Sequence, residues 1–304
     1  MNWWDDAVHR AIAEIVLAGT LAGIVGVHVV QRRLSFFTMA LTHATFPGVV
    51  AATLIGVDVL AGGFVAGAVI AVGVAALSRR TGQNAAAATG VLLSAGFGLG
   101  AALVATQSGF SRDLSALLVG SILTVSPHDL LVTAAILIVV TTVLLGCARP
   151  LLYTGFDPTG ARTAGYHTAA WDLLLLLTIE LTVVTLVPAV GTILAITLIV
   201  APAATARQWS ARPPIVAALA AGLAIASGLG GLYLSDRGNI AAGAAITLTA
   251  TAALFASTLL RRATGLTNHR PTPATMHGTR HDPEQQQRAG PGEPNTSGPM
   301  LDMS

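Results

Sequence analysis

The chain has 304 residues, 53% of them hydrophobic and only 10% charged, with a mean hydropathy of +0.72. Soluble domains carry roughly 25% charged residues, so this balance excludes a soluble globular protein and predicts an all-α polytopic membrane protein. The net charge of +2 comes from arginines scattered singly and in pairs, with no lysine, so it says little for nucleic acid and none is expected as a partner; the lone Cys147 excludes an intrachain disulfide or thiolate cluster.

The start, Trp3-Trp4-Asp5-Asp6, lacks the basic region of a signal peptide and reads as an interfacial anchor leading straight into a span. Apolar runs of bilayer-spanning length follow at about 10–30, 34–56, 59–78, 85–106, 128–147, 171–188, 190–206, 214–234 and 240–260. A shorter apolar piece, about 114–124, is too short to cross and reads as a re-entrant or interfacial helix capped by Asp113. In Ser126-Pro127-His128-Asp129 the order of N-cap, first-turn proline and acid marks a fresh helix start. The join Pro188-Ala189-Val190-Gly191 decides the count: a tight turn there gives nine spans, a broken helix eight. Gly19/Gly23, Gly63/Gly67 and Gly96/Gly100 are each four apart, the spacing that lets helices approach closely in lipid. The membrane domain thus covers residues 1–262. Residues 263–304, rich in Pro, Thr, Gln and Gly, are expected to form a disordered cytoplasmic tail.

With nine crossings, one set of ends carries Arg32, Arg33, Arg79, Arg80, Arg149, Arg162, Arg207, Arg212, Arg261 and Arg262. The other carries Arg10, Arg112 and Arg237, beside several aspartates. The arginine-rich end is expected in the cytoplasm, together with the C-terminus.

The second span holds a polar notch. Ser35, Met39, Thr42, His43 and Phe46 are three or four residues apart and share one helix face. Pro47 lacks the N–H that would bond the His43 carbonyl, so a kink is expected there. An ionisable group inside a span marks a functional site by default, which makes His43 a candidate. Glu14 and Asp172 lie near span ends, whereas Glu180 lies deep in the sixth span, either as a buried hydrogen-bonded carboxyl or as a ligand on a pathway. The longest internal polar loop is 148–170. Within it Asp157 suits an N-cap, Pro158 a first helical residue and Gly165 a C-terminal stop, predicting a short helix over about 156–166. That helix is either a receiver for a cytoplasmic motor or a plain surface element.

There is no phosphate-binding loop, HExxH or GxSxG in the chain. It is read as a transporter and not an enzyme, and any energy for pumping must come from a partner.

The motifs taken in order are Arg32-Arg33; Ala40-Leu41-Thr42-His43-Ala44 with Pro47-Gly48; Asp113-Leu114 through Gly120-Ser121-Ile122-Leu123 to Ser126-Pro127-His128-Asp129-Leu130; Phe156-Asp157-Pro158 with Ala161-Arg162 and Gly165; and Val190-Gly191 leading to Pro202-Ala203-Ala204-Thr205-Ala206-Arg207. In this order they resemble the membrane permease subunit of the ABC-type zinc, manganese and iron importers, over about residues 10–262. The resemblance implies a type II importer permease-like bundle in the plasma membrane, a second copy of the chain, a cytoplasmic ATPase that binds ATP, and an external metal-binding protein. It implies that 156–166 is the coupling helix, with Asp157, Pro158, Ala161, Arg162 and Gly165 at the ATPase contact. It also implies His43 as a transit ligand for the cargo, zinc first and manganese next. One departure matters: the family's usual motif resembles Asp-Ala-Leu-Ser-His-Ala, and Met39 stands at the Asp position. A thioether is softer than a carboxylate and uncharged, so Met39 carries over only as a weak neighbour of the His43 ligand, and Glu180 restores the missing charge if it faces the same pathway. A metal chelate as cargo is the first alternative. The second is a self-sufficient secondary transporter, which would need repeats with paired broken helices.

Overall fold

In the computed structural model residues 7–80, 85–105 and 122–264 are described, and every regular element among them is helical. Helix α1 spans Ala7–Gln31. The pair α2 (Ser35–Ala44) and α3 (Phe46–Ile55) makes one crossing, followed by α4 (Val59–Arg80), α5 (Ala85–Ala105) and α6 (Pro127–Gly146). Two short helices come next, α7 (Ala148–Phe156) and α8 (Pro158–Thr163), and then α9 (Thr168–Val190), α10 (Thr192–Trp209), α11 (Pro213–Gly238) and α12 (Ala242–Ala263). Among the described residues nine segments are long and apolar enough to cross a membrane, at the positions the hydropathy pattern predicts.

The undecided join resolves at one residue. Gly191 has φ +83 and ψ 163, a conformation essentially confined to glycine, and it separates helices of 23 and 18 residues. Together these would measure roughly 60 Å, twice the hydrocarbon thickness of a bilayer. Each is long enough to be a span of its own, and among the described residues the count of such segments is nine.

Helix α9 is the centre of the bundle: 72% of its spanning window is buried, against 17% for α12. Helix α1 packs on α10 and α11, and α4 on α3, α5 and α9. The glycine pairs explain how. A Cβ on Gly23 would lie 2.4 Å from the Ala221 nitrogen of α11, and one on Gly26 2.2 Å from the Ile199 carbonyl of α10, so α1 touches both at backbone distance. Gly63 and Gly67 face Val184 and Glu180 of α9, and Gly100 faces the Phe46 ring.

Long-range bonds fix which ends meet. At its start α1 places Arg10, whose Nε donates to Val125 O at 2.9 Å, beside the start of α6. At its other end Arg32 reaches α7 and α9. The start of α6 is closed by a full capping box: Ser126 Oγ accepts from the Asp129 N–H at 3.2 Å, and Asp129 Oδ2 accepts from the Ser126 N–H at 2.9 Å. The structure also corrects the reading of 148–170 as a loop with one short helix. Its first part is a second helix, α7, whose Leu151 and Thr154 are buried. Most of the short apolar piece at 114–124 lies outside the described residues, as does the tail from residue 265; Ile122–Thr124 forms a single 3-10 turn.

Candidate functional site

The second span is broken at Thr45, between α2 and α3. Pro47 cannot donate to the His43 carbonyl. The ladder resumes beyond it, where Gly48 and Val49 N–H groups both donate to Thr45 O at 3.0 Å. The threonines of the notch are occupied on their own helix. Thr38 Oγ1 donates to Leu34 O at 3.1 Å, Thr42 Oγ1 to Met39 O at 2.7 Å and Thr45 Oγ1 to Thr42 O at 3.4 Å.

The predicted face is therefore only partly a shared surface. Thr42 is buried, and Phe46 turns toward α5, with its ring centroid 6.3 Å from that of Phe97. Pro47 is buried and lines an apolar groove of about 490 Å³ between α3, α4 and α5, which His43 does not line. What stays open is a strip on α2: Phe36, Met39 at 37% exposure, and the half-buried His43. The imidazole makes no hydrogen bond to another described residue. Phe36 belongs to this strip three residues before Met39, although a search for polar residues passes it over.

Glu180 is fully buried, and neither of its carboxyl oxygens has a hydrogen-bond partner among the described residues. Its head occupies the recess left by Gly67 of α4, where an added Cβ would overlap the carboxyl group. Glu14 is also fully buried, and it accepts from Thr133 Oγ1 of α6 at 3.0 Å. Among the described residues no three His, Cys, Asp or Glu side chains converge as a metal-holding group. Within one chain, His43 and Met39 form an edge and not an enclosed site.

The other candidate element is α8. Asp157 Oδ1 accepts from the Gly160 N–H at 2.8 Å, and Pro158 is the first helical residue. At the far end Gly165 has φ +83, its N–H donates to Arg162 O at 3.0 Å, and the Tyr166 N–H closes on Ala161 O at 3.0 Å. This is a Schellman stop. Ala161 is fully buried, Arg162 Nε donates to Thr168 Oγ1 at 3.3 Å, and Tyr153 meets Tyr166 edge-on with centroids 5.7 Å apart. Helices α7 and α8 thus form one closed elbow at the arginine-rich end, beside the exposed Phe156.

A family model for the ABC 3 transport family matches residues 5–261. The chain belongs to that family. It is 32% identical over 249 residues to the manganese transport system membrane protein MntC of Halalkalibacterium halodurans, covering 82% of this chain and 85% of the relative. It is 30% identical to the manganese import system permease protein ScaB of Streptococcus parasanguinis, with 80% and 86% covered. Its fold matches a chain of PsaBC from Streptococcus pneumoniae, solved in complex with a Fab, with TM-score 0.75 and 28% identity over 83% of this chain and 90% of that one. The chain is a membrane transport component of the ABC type, with the helical bundle that its motifs predict. The expected preference for zinc finds no support in these relatives, whose names are those of manganese systems.

Proposed function

We propose that this chain is the permease subunit of an ATP-driven manganese importer of the plasma membrane. The observation that carries the reading is the 249-residue likeness to MntC, alongside a family match whose residues 5–261 take in both the kinked second span and the α7–α8 elbow. Two copies bring their α2 strips together, so that Met39 and His43, each an edge in one chain, line a shared path. His43 offers an imidazole nitrogen to the passing ion, and Met39 adds no charge. Weak binding suits transit, because a tight site would trap the cargo. Glu180 supplies a carboxylate if α4 and α9 separate during the cycle, since its oxygens have no partner to give up. An external binding protein delivers the ion at the arginine-poor end. A cytoplasmic ATPase docks at the arginine-rich end, on α8, with Asp157, Pro158, Ala161, Arg162 and Gly165 shaping the contact.

The test is reconstitution of the chain with its ATPase and binding protein in liposomes, supplying Mn²⁺, Zn²⁺ and Fe²⁺ in turn. Uptake is expected to require ATP and to favour manganese. Uptake without the ATPase points instead to a secondary transporter, and zinc preference overturns the choice of cargo.

A further inference from the structure

Arg32 directly follows α1 and, with Arg33 and Leu34, forms the whole link to α2. Its side chain is 12% exposed and donates to three groups on two other helices. These are the Asp172 carboxylate on α9, Leu151 O at 2.6 Å and Thr154 Oγ1 at 2.8 Å, both on α7. Gly155 of α7 makes the space, since a Cβ there would lie 3.1 Å from Arg32 Nε. A guanidinium holds such contacts in fixed directions, which an ammonium does not.

The connections on both sides of Arg32 are stiff. On one side Arg33 takes a left-handed φ of +58, the Leu34 N–H closes on Val29 O at 2.8 Å, and the Arg33 N–H on Val30 O at 3.3 Å. Glycine is the usual residue at such a stop, and a side chain there is strained. The Thr38 N–H then donates to Leu34 O at 2.9 Å, so the link runs into α2 without slack. His43 lies roughly 12 Å further along that helix. On the other side α7 continues into α8 through the Asp157 cap and the Tyr153–Tyr166 contact. Arg32, Phe36, Thr154, Arg162 and Asp172 also border one open cavity of about 1020 Å³, which leaves room for the elbow to shift against α2.

We propose that Arg32 is the transmission residue of this transporter: it carries displacement of the α7–α8 elbow to the start of α2, and so to the His43 strip. This rests on the reading of α8 as the ATPase-docking helix. Arg32 acts through α2 and touches no cargo, so it is a positioning residue. A tie that merely held the fold would, when broken, lower uptake and ATP hydrolysis together. A transmission residue lowers the metal moved per ATP.

The experiment measures manganese uptake and phosphate release at once, in liposomes holding the full transporter with its ATPase and binding protein. Arg32→Gln is expected to keep most of the ATP hydrolysis and to lower manganese per ATP at least about tenfold, the scale of a lost charge-assisted hydrogen bond. Asp172→Asn is expected to lower the ratio less, because the two bonds to α7 remain. Asp172 is 48% exposed, so the asparagine fits without repacking and carries the test if Arg32→Gln does not assemble. An unchanged ratio in the assembled variants overturns the proposal, as does a fall of uptake and hydrolysis in equal proportion. If the unaltered transporter hydrolyses ATP but moves another cation, the choice of cargo fails and the same ratio is read with that cation.

Discussion

Arg32 and His43 lie on one continuous stretch of chain, and their surroundings treat polar groups in opposite ways. The Arg32 guanidinium is nearly buried and bonded to three acceptors on two helices. The His43 ring is half-buried on an open strip and has no bond to any other described residue. A polar group in apolar surroundings is stabilising only when its bonds are made, so the first arrangement holds helices together and the second contributes little to the fold. The nearby threonines sharpen the contrast, because they bond back to their own helix and leave the imidazole alone. The difference teaches where each role sits: contact with the cargo at the group with no partner among the described residues, and transmission of motion at the densely bonded one.

Substitutions at the buried fits within the bundle should damage the fold, those on the open strip should damage transport, and those at Arg32 or the α7–α8 elbow should damage the coupling to ATP. The largest effect is expected from Gly67→Val, which drives a side chain into the Glu180 carboxyl group; overpacking of this kind costs about 1–3 kcal/mol, and displacing a buried acid adds to it. Thermal unfolding in detergent should show the loss, and a parent-like midpoint would mean that the Gly67 recess is not needed. Thr133→Val removes the donor to Glu14 and leaves a buried acceptor unmade, for a loss of about 1–3 kcal/mol by the same measurement. Met39→Asp places a carboxylate four residues before His43 on the open strip. It should raise Mn²⁺ retention by the purified transporter about tenfold in equilibrium dialysis, equivalent to about 1.4 kcal/mol, with no loss of thermal stability. Unaltered retention would separate Met39 from the path. Asp157→Ala removes the cap of α8 at about 1 kcal/mol. It should leave the bundle's unfolding midpoint nearly unchanged while weakening ATPase capture in a pull-down.

The sequence made local grammar legible. Ser126 with Asp129, and Asp157 with Pro158 and Gly165, each specify a helix end within a few residues, and each forms the bonds its spacing predicts. The apolar runs were legible because hydropathy is additive along the chain, but whether the join at Gly191 made eight spans or nine was not. Helix α7 was not. It contains Pro150 and Gly155, reads as a loop, and is held by Arg32 from more than a hundred residues away. The fit of Glu180 into Gly67 is equally long-range, and neither residue alone announces it. The open strip was half legible: the spacing of Met39 and His43 gave the face, but not that Thr42 and Phe46 turn inward from it. The choice between zinc and manganese was not encoded in any local pattern, because an imidazole accepts both ions and the position that would add a carboxylate holds a thioether.

The central claim is that His43 serves the cargo and not the fold. The measurement that tests it most directly compares His43→Ala with the unaltered chain for ATP-driven Mn²⁺ uptake in liposomes and for thermal unfolding of the same preparations. The account predicts uptake lowered at least about tenfold with an unfolding midpoint within about 2 °C of the parent. Uptake equal to the parent's, or a midpoint that falls along with uptake, would contradict it.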